Sequence, residues 1–451
     1  MTARLAAGSL VQADLAILGA GAAGMFIALA AQARGLRVAL FEPRADMPNN
    51  LAISGGLLPV AGSSLQRVAG VPDSPEAWLA DLRQFAPGMV NEQIAEAVAL
   101  ALPAACDFLQ AQCAAPLRFL PEMVAPGHGQ RRFHSVQPAS GQALHQWLRQ
   151  AVRSAPGISW LEGSAEVERS GGGFELRSPQ GLFADLRADQ LVLAGGGFGA
   201  NTAMVAQYIP GMGGALHNGS ATNDGSTIAL GLRWGAQLWG MDGYQGQGHT
   251  NPGGVTRLGM GIPSLGGILV NREGRRFVAE DIGPSALAPQ VLAQSGCLAL
   301  ELFDQAIEDQ LGNHSAYQQA RQAGCVMSAQ TLPELAALAG IDPVALQHTL
   351  DEVAACAQGQ ADRLGRRSFA RLLGAPWRAS WVTGALSHTQ GGLLTDAHGA
   401  VLHESGQRLP GVFAAGGCAA GLSGRGADGY LPGNGLAQAF GLGWRVAQAL
   451  G

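Results

Sequence analysis

An α/β architecture built on a parallel sheet and interrupted by an inserted α+β segment is predicted by three observations. Residues 14-DLAILGAGAAGMFIALAAQARGLRVALFEPR-44 read as strand, glycine turn, helix and second strand. From residue 158 the chain alternates short strands with glycine-rich turns and closes on the apolar strand and turn LVLAGGG. Between about 240 and 375 the composition shifts, and from 384 the glycine-rich, strand-like character returns and runs to the end. The expected organisation is a first domain in two pieces, 1–239 and 376–451, around an inserted domain, 240–375.

Taken in order, the opening strand LAIL leads through glycines into the Ala-rich helix, Gly35 stops that helix, and VALFE forms the next strand. Residues 91–113 and 141–153 read as helices, the second amphipathic around Leu144, Trp147, Leu148 and Val152. The inserted segment opens Gly/Pro-rich, carries one strand in GGILVNREGRRFV and continues in Ala/Leu/Gln helices. A final helix is expected over Leu436 to Leu450.

A chain of 451 residues with 47% hydrophobic content is long enough for two or three domains and a large core. Only 14% of residues are charged, the net charge is -5, and no basic run occurs, which argues against nucleic-acid and anionic-membrane partners. The expected partner is a small molecule. Six cysteines fall in no CxxC or Cys/His metal pattern and read as reduced thiols, with no metal site. The opening MTARLAAGSL lacks an apolar core like that of a secretion signal, and the rest of the chain has no uninterrupted apolar run of about 18 residues. A cytoplasmic protein with no membrane span is expected.

Gly19-Ala-Gly21-Ala-Ala-Gly24 fits GxGxxG between a strand and a helix, and Glu42 ends the next strand 18 residues after Gly24. The glycines serve a tight turn, close approach of backbone to a pyrophosphate, and helix-to-strand packing. Glu42 supplies acceptors for a ribose. A Rossmann-like dinucleotide-binding domain is the consequence, and 194-AGGGFGAN-201 lacks the spacing of a second fingerprint.

Over nearly its whole length the chain resembles the fumarate reductase and 3-ketosteroid dehydrogenase superfamily of flavoproteins. The residues that carry the resemblance are GAGAAG with Glu42, the segment 49-NNLAISGGLLPVAGSSLQRVAGVPDSPEAW-78, 191-LVLAGGGFGAN-201, 247-QGHT-250, 271-NREGRRFVAE-280, 388-HTQGG-392 and 410-PGVFAAGG-417. It implies FAD, a GR2-type Rossmann-like FAD-binding domain and an inserted α+β capping domain. It also implies that Ser54, Gly55 and Gly56 lie along the pyrophosphate and ring, with Gly195, Gly196 and Asp224 near the adenosine half. Gly416 and Gly417 would cradle the ribityl chain, and Gly435 and Leu436 would meet the pyrimidine edge, where a helix N-terminus favours negative charge. Covalently flavinylated relatives carry a histidine before the Ser-Gly-Gly loop; Asn49-Asn50-Leu51 stand there, so non-covalent FAD is expected.

The chain departs from the dicarboxylate-converting members at three places. Gly283-Pro284-Ser285 occupy the region of the catalytic arginine, Gly259-Met260 that of a Thr-Glu pair, and Tyr430 that of the second arginine. Without two guanidiniums, bidentate pairing cannot select a dicarboxylate. Fumarate and succinate are therefore not expected as substrates. A tyrosine in 426-GADGYLPGNGL-436 resembles the ketosteroid dehydrogenase pattern. The implied chemistry removes or adds hydrogen across a CH–CH bond beside a carbonyl in a neutral, cyclic molecule. Tyr430 would transfer the proton, and backbone N–H groups of 433-GNGL-436 would hold the ketone oxygen.

Further site candidates are His249 in QGHT and His388 in HTQGG, both matching substrate-side histidines, and Ser285, alternatively a helix N-cap. Tyr244 and Gly433 are candidate substrate contacts, Tyr244 alternatively a core aromatic. Arg425 reads as a surface or phosphate-side residue, and Arg275 and Arg276 as holding the hairpin of the inserted domain. The electron donor or acceptor is not specified by sequence. Two rival readings are an enone reductase fed by a separate donor and an electron-transfer subunit of a complex.

Overall fold

The computed structural model describes residues 11–253, 256, 258, 261–312 and 314–451. The expectations for MTARLAAGSL and for Gly259-Met260 lie outside the described residues. The chain divides into two compact units, one made of residues 1–204, 219–244 and 388–451, the other of 205–218 and 245–387.

In the first unit, β1 (Val11–Leu18), α1 (Ala22–Gln32) and β2 (Val38–Glu42) form the expected βαβ unit. β1 pairs in parallel with β2 through Ile17 and Leu40, and on its other side with the strand Leu186–Leu193 through Ile17 and Val192. Both faces of β1 are covered, which is why it reads as a continuous apolar run rather than an alternating one. Among the described residues the sheet has eight strands. Its main path runs Ala400–Leu402, Arg408–Ala414, Leu186–Leu193, β1, β2, Ile158–Glu162, and the hairpin Glu166–Ser170/Gly173–Arg177 joins through Leu186–Leu193.

α1 buries every residue from Ala23 to Ala31. Phe26 meets Phe440 edge to face at 5.2 Å and Phe108 at 5.9 Å, tying α1 to the last helix, Asn434–Ala449, and to Glu92–Ala111. The last helix starts two residues before its expected start at Leu436, capped by Gly433 at φ +88°. Glu92–Ala111 is long and apolar enough to cross a membrane by length and composition, yet Ile94, Val98, Leu102 and Leu109 are buried in this unit.

The second unit is built on the long strand Trp377–Thr389, whose last two residues belong to the first unit. It pairs antiparallel with Ala299–Asp304, which pairs with Ile268–Val270. Leu300 and Leu302 face one apolar cluster with Leu335 and Leu346, and Ala299 and Phe303 face another with Leu287 and Val291, the alternation a pleated strand requires. That strand explains why the unit ends at Ser387 rather than 375: it supplies the central hydrogen-bond partner. Leu216–His217 also pairs with it, so 205–218 joins this unit instead of the first. The expected strand in GGILVNREGRRFV is shorter, Ile268–Val270, and then turns back so that Val270 bridges to Arg276. Asn271 and Arg275 make the turn, whereas Arg276 reaches inward to Glu280 and Asp362.

Candidate active site

A parallel sheet gathers the turns at the carboxyl ends of its strands along one edge. Leu18 of β1 stands opposite Leu193, and Ala414 stands opposite Leu193 on the other side. The Gly19–Gly24 turn, Gly195 with Gly196, and the Gly416–Cys418 turn therefore share the carboxyl edge of one sheet with Glu42. Gly24 is needed for close packing: a Cβ there would sit 1.9 Å from the Gly19 carbonyl oxygen. Gly21 is the opposite case, because a Cβ there meets no protein atom within 4 Å. Gly21 is also the cap of α1, with no side-chain cap and no acid in the first turn, so no capping side chain takes the first N–H groups of α1. The Glu42 carboxylate accepts from Ala20 N at 3.0 Å and from Arg44 N at 3.1 Å and keeps further lone pairs for a ribose.

The 49–56 segment is fixed by its own polar side chains. Asn49 Oδ1 caps the short helix Asn50–Ile53, Asn49 Nδ2 donates to Ala20 O, and Asn50 Oδ1 accepts from Ser220 N at 2.7 Å. Where covalently flavinylated relatives are implied to hold histidine, Asn49 bonds to the β1 turn and Asn50 to Ser220. Ser54 Oγ donates to Leu51 O and accepts from Gly56 N, and Gly56 has φ +67° with backbone of Ser140 2.5 Å from a Cβ. Asp224 is exposed and its carboxylate accepts from Ser226 N.

The closing motif supplies the second half of the site. The Gly435 N–H donates to the Tyr430 phenol oxygen. The Asn434 N–H goes to Leu431 O and the Leu436 N–H to Gly433 O. Of the 433–436 N–H groups expected to hold a ketone oxygen, those of Asn434, Gly435 and Leu436 thus have partners within the segment. Burial pushes the Tyr430 pKa up to about 12 against the weaker lowering effect of Gly435. A phenol in that range donates a hydrogen bond well and is a poor base at neutral pH. The buried Asn434 Oδ1 has no protein partner, while its Nδ2 donates to Ser423 Oγ at 2.9 Å. That orphaned acceptor at a helix N-terminus fits a hydrogen-bond donor from a bound group such as a flavin.

His388 meets Tyr430 edge to face, ring centroids 4.8 Å apart. Burial pushes its pKa down to about 4, opposed by the Thr389 carbonyl, so the imidazole is neutral at physiological pH. Gln390 Nε2 lies 3.2 Å from His388 Nδ1. Arg425 is paired with Asp242 at 2.7 Å. The phenol, the imidazole and the amide around Tyr430 carry no charge.

Tyr244 is buried in the first unit, its phenol pushed up to about 12 by burial, and its backbone N–H donates to Gly426 O. His249 and Ser285 belong to the second unit. His249 is fully buried with Nδ1 3.0 Å from Glu301 Oε1, outside hydrogen-bond alignment. Ser285 is not a helix cap: the helix runs Pro284–Leu292 behind Gly283, and Ser285 Oγ accepts from Gly246 N at 3.1 Å. Pro284 suits the first helical turn because it has no N–H to leave unpaired. Sequence reasoning missed Gln390, Asn434 and Glu301. Gln390 stands two residues beyond His388 in HTQGG and was within reach; Glu301 lies in an apolar strand with no motif around it.

The family model described as "FAD binding domain" (FAD_binding_2) matches residues 14–436. The chain is 24% identical over 420 residues to "Fumarate reductase (cytochrome)" of Shewanella frigidimarina, covering 91% of this chain and 72% of that protein. It is 26% identical over 426 residues to "NADH:fumarate oxidoreductase" of Klebsiella pneumoniae, covering 91% of this chain and 45% of that one. Among solved structures, the open conformation of a flavocytochrome c3 fumarate reductase matches 98% of this chain and 78% of its own at TM-score 0.85 and 23% identity. A 3-ketosteroid delta1-dehydrogenase from Sterolibacterium denitrificans matches 97% and 99% at TM-score 0.76 and 21% identity. At those identities the structures establish the shared fold.

Proposed function

This chain belongs to the FAD binding domain family, an FAD-dependent oxidoreductase acting on CH–CH or C=C groups, and from that premise we propose that its substrate is a neutral, cyclic molecule with a carbonyl beside the reacting bond. The Gly19–Gly24 turn, Glu42, Ser54–Gly56, Gly195, Gly196, Asp224, Gly416, Gly417, Gly435 and Leu436 would hold FAD, with Asn49 and Asn50 favouring a non-covalent attachment. Bound there, FAD supplies the two-electron chemistry.

The observation that carries the reading is Tyr430. It stands where the resemblance puts an arginine, its hydroxyl is protonated, and its oxygen accepts from Gly435 N–H. Accepting that bond polarises the O–H, so Tyr430 donates to a substrate carbonyl and stabilises the enolate that forms when the α proton leaves. In the reductive direction the same hydroxyl activates an enone. In this reading Tyr430, expected from sequence to transfer the proton, acts as a donor to the oxygen. His388, neutral and against the phenol ring, adds no charge that would attract a carboxylate. His249 and Ser285 stay catalytic candidates on the resemblance alone.

An anaerobic screen tests this directly. Saturated cyclic ketones should bleach the oxidised chromophore, or enones should reoxidise the reduced one, while fumarate and succinate leave both unchanged. Turnover of a dicarboxylate at rates above those of every ketone would sink the proposal.

A second reading, a C=C reductase fed by a separate electron donor, is favoured by the names of the relatives, which are reductases. The chain spans 72% and 45% of two relatives whose names specify a cytochrome and NADH. Consumption of an enone with a reduced dye, without NADH oxidation by the chain alone, is the expected result.

A further inference from the structure

The carbonyl of Pro432 lies two residues beyond Tyr430, and proline has no N–H, so that carbonyl is the residue's sole backbone hydrogen-bonding group. It accepts from His128 Nε2 at 2.9 Å. Because a carbonyl only accepts, Nε2 carries the hydrogen. The other nitrogen, Nδ1, faces Arg132 Nη1 at 3.5 Å, and a guanidinium only donates. Both ends therefore require the neutral Nε2–H tautomer.

Arg132 itself is fully buried and anchored. Its Nε and Nη2 donate to the two oxygens of Asp73 at 3.0 and 3.1 Å, and Nη1 pairs with Asp81 at 2.7 Å. Asp81 also accepts from Gly129 N at 2.8 Å, closing the loop around His128. The His128 ring is held edge to face against Phe133, centroids 4.9 Å apart. The same loop touches the residues on both sides of Pro432: a Cβ on Gly127 would lie 2.6 Å from Leu431 Cδ1, and one on Gly433 would lie 3.2 Å from Phe133 Cε1. A buried ion cluster of this kind is a rigid anchor, since moving one member strands a charge.

We propose that His128 is a positioning residue for the closing motif, the link between the Asp73/Asp81–Arg132 anchor and the Pro432 carbonyl, which holds the turn that carries Tyr430 and the Gly435 N–H bonded to its phenol oxygen. The effect on turnover rests on the reading of Tyr430 given above; the effect on the backbone does not.

The test uses the full-length, FAD-loaded protein and its apo form, with His128→Phe and His128→Gln. Phenylalanine keeps the ring contact to Phe133 and removes the donor. Glutamine places an Nε2–H close to that of the imidazole. Hydrogen–deuterium exchange of the peptide covering 431–436 should quicken roughly five-fold in H128F, the expectation for losing one net hydrogen bond. It should return toward wild type in H128Q, in apo and loaded protein alike. With an identified substrate, kcat should fall in H128F, KM change less, and H128Q recover. Exchange in H128F equal to wild type overturns the proposal whatever the substrate, as does exchange in H128Q as fast as in H128F. If exchange responds as expected and turnover does not, the positioning role in the reaction is overturned while the backbone link stands.

Discussion

The imidazole of His388 and the phenol of Tyr430 meet at 72° with centroids 4.8 Å apart, one pushed down to about 4 and the other up to about 12 by burial. Two titratable groups thus sit together uncharged. Replacing Tyr430 by phenylalanine keeps the ring packing and removes the hydroxyl alone. Turnover should fall by about 10²–10³, the usual cost of one lost donor to a developing oxyanion. The bound flavin content should stay that of the wild type. A Y430F protein within a few-fold of wild-type turnover removes Tyr430 from the chemistry.

The same pair makes a statement about pH. With His388 neutral above about 4 and Tyr430 protonated to about 12, neither ionises between them. Any limb in kcat/KM between pH 6 and 10 belongs to another group, so it should persist unchanged in form in Y430F. A rising alkaline limb that vanishes in Y430F would show instead that the phenolate is the active species.

Two neighbouring glycines separate folding from cofactor binding. Gly24→Ala forces a Cβ to 1.9 Å from a backbone oxygen and should destabilise the βαβ unit itself. Gly21→Ala meets no protein atom within 4 Å, so the apo protein should melt near wild type. Its methyl group would, however, intrude where a pyrophosphate approaches the start of α1, and FAD should be lost on gel filtration. Normal FAD retention in G21A would place the pyrophosphate elsewhere.

The βαβ unit was legible because three independent patterns agree there: the apolar strand, the glycine spacing and Glu42 at the end of β2. Tyr430 was legible as a departure from a resemblance. What surrounds it was not, because the partners of the 434–436 N–H groups belong to a capped turn with Gly433 at positive φ and Pro432 held from residue 128. Such contacts, 304 residues apart in sequence, leave no periodic trace. The compact units differ in their limits from the expected 240–375 segment for a related reason: a 13-residue strand pairs with segments from several parts of the chain, and pairing is not local.

In the second unit, Arg276 donates to both oxygens of Glu280 at 2.8 and 2.7 Å and to Asp362 at 2.9 Å, and Glu280 also accepts from Arg366 at 3.2 Å. Arg276→Met keeps most of the volume and leaves Glu280 buried with one guanidinium. A loss of roughly 3–5 kcal/mol is expected in denaturant unfolding. A Glu280→Gln change in that background should recover part of it, and no recovery would mean that the cost is packing alone.

His134 gives a pH dependence of stability with a definite sign. It is fully buried, Nδ1 donates to Arg132 O at 3.0 Å, and Nε2 accepts from Ser63 Oγ at 2.8 Å, an arrangement that suits the neutral ring. Desolvation lowers its pKa from 6.5 to about 4, despite the raising influence of the Arg132 and Leu58 carbonyls. The unfolded chain therefore binds a proton near pH 6.5 that the folded chain refuses until about 4. The contribution is complete above the unfolded value and is lost as pH falls through that window, at up to about 1.4 kcal/mol per pH unit. His134→Gln should be less stable at neutral pH, because its side chain fits the two partners less well, and should show a shallower fall between pH 6.5 and 4. Equal slopes for the two proteins in urea titrations across that range would assign the acid sensitivity to other groups, His388 first among them.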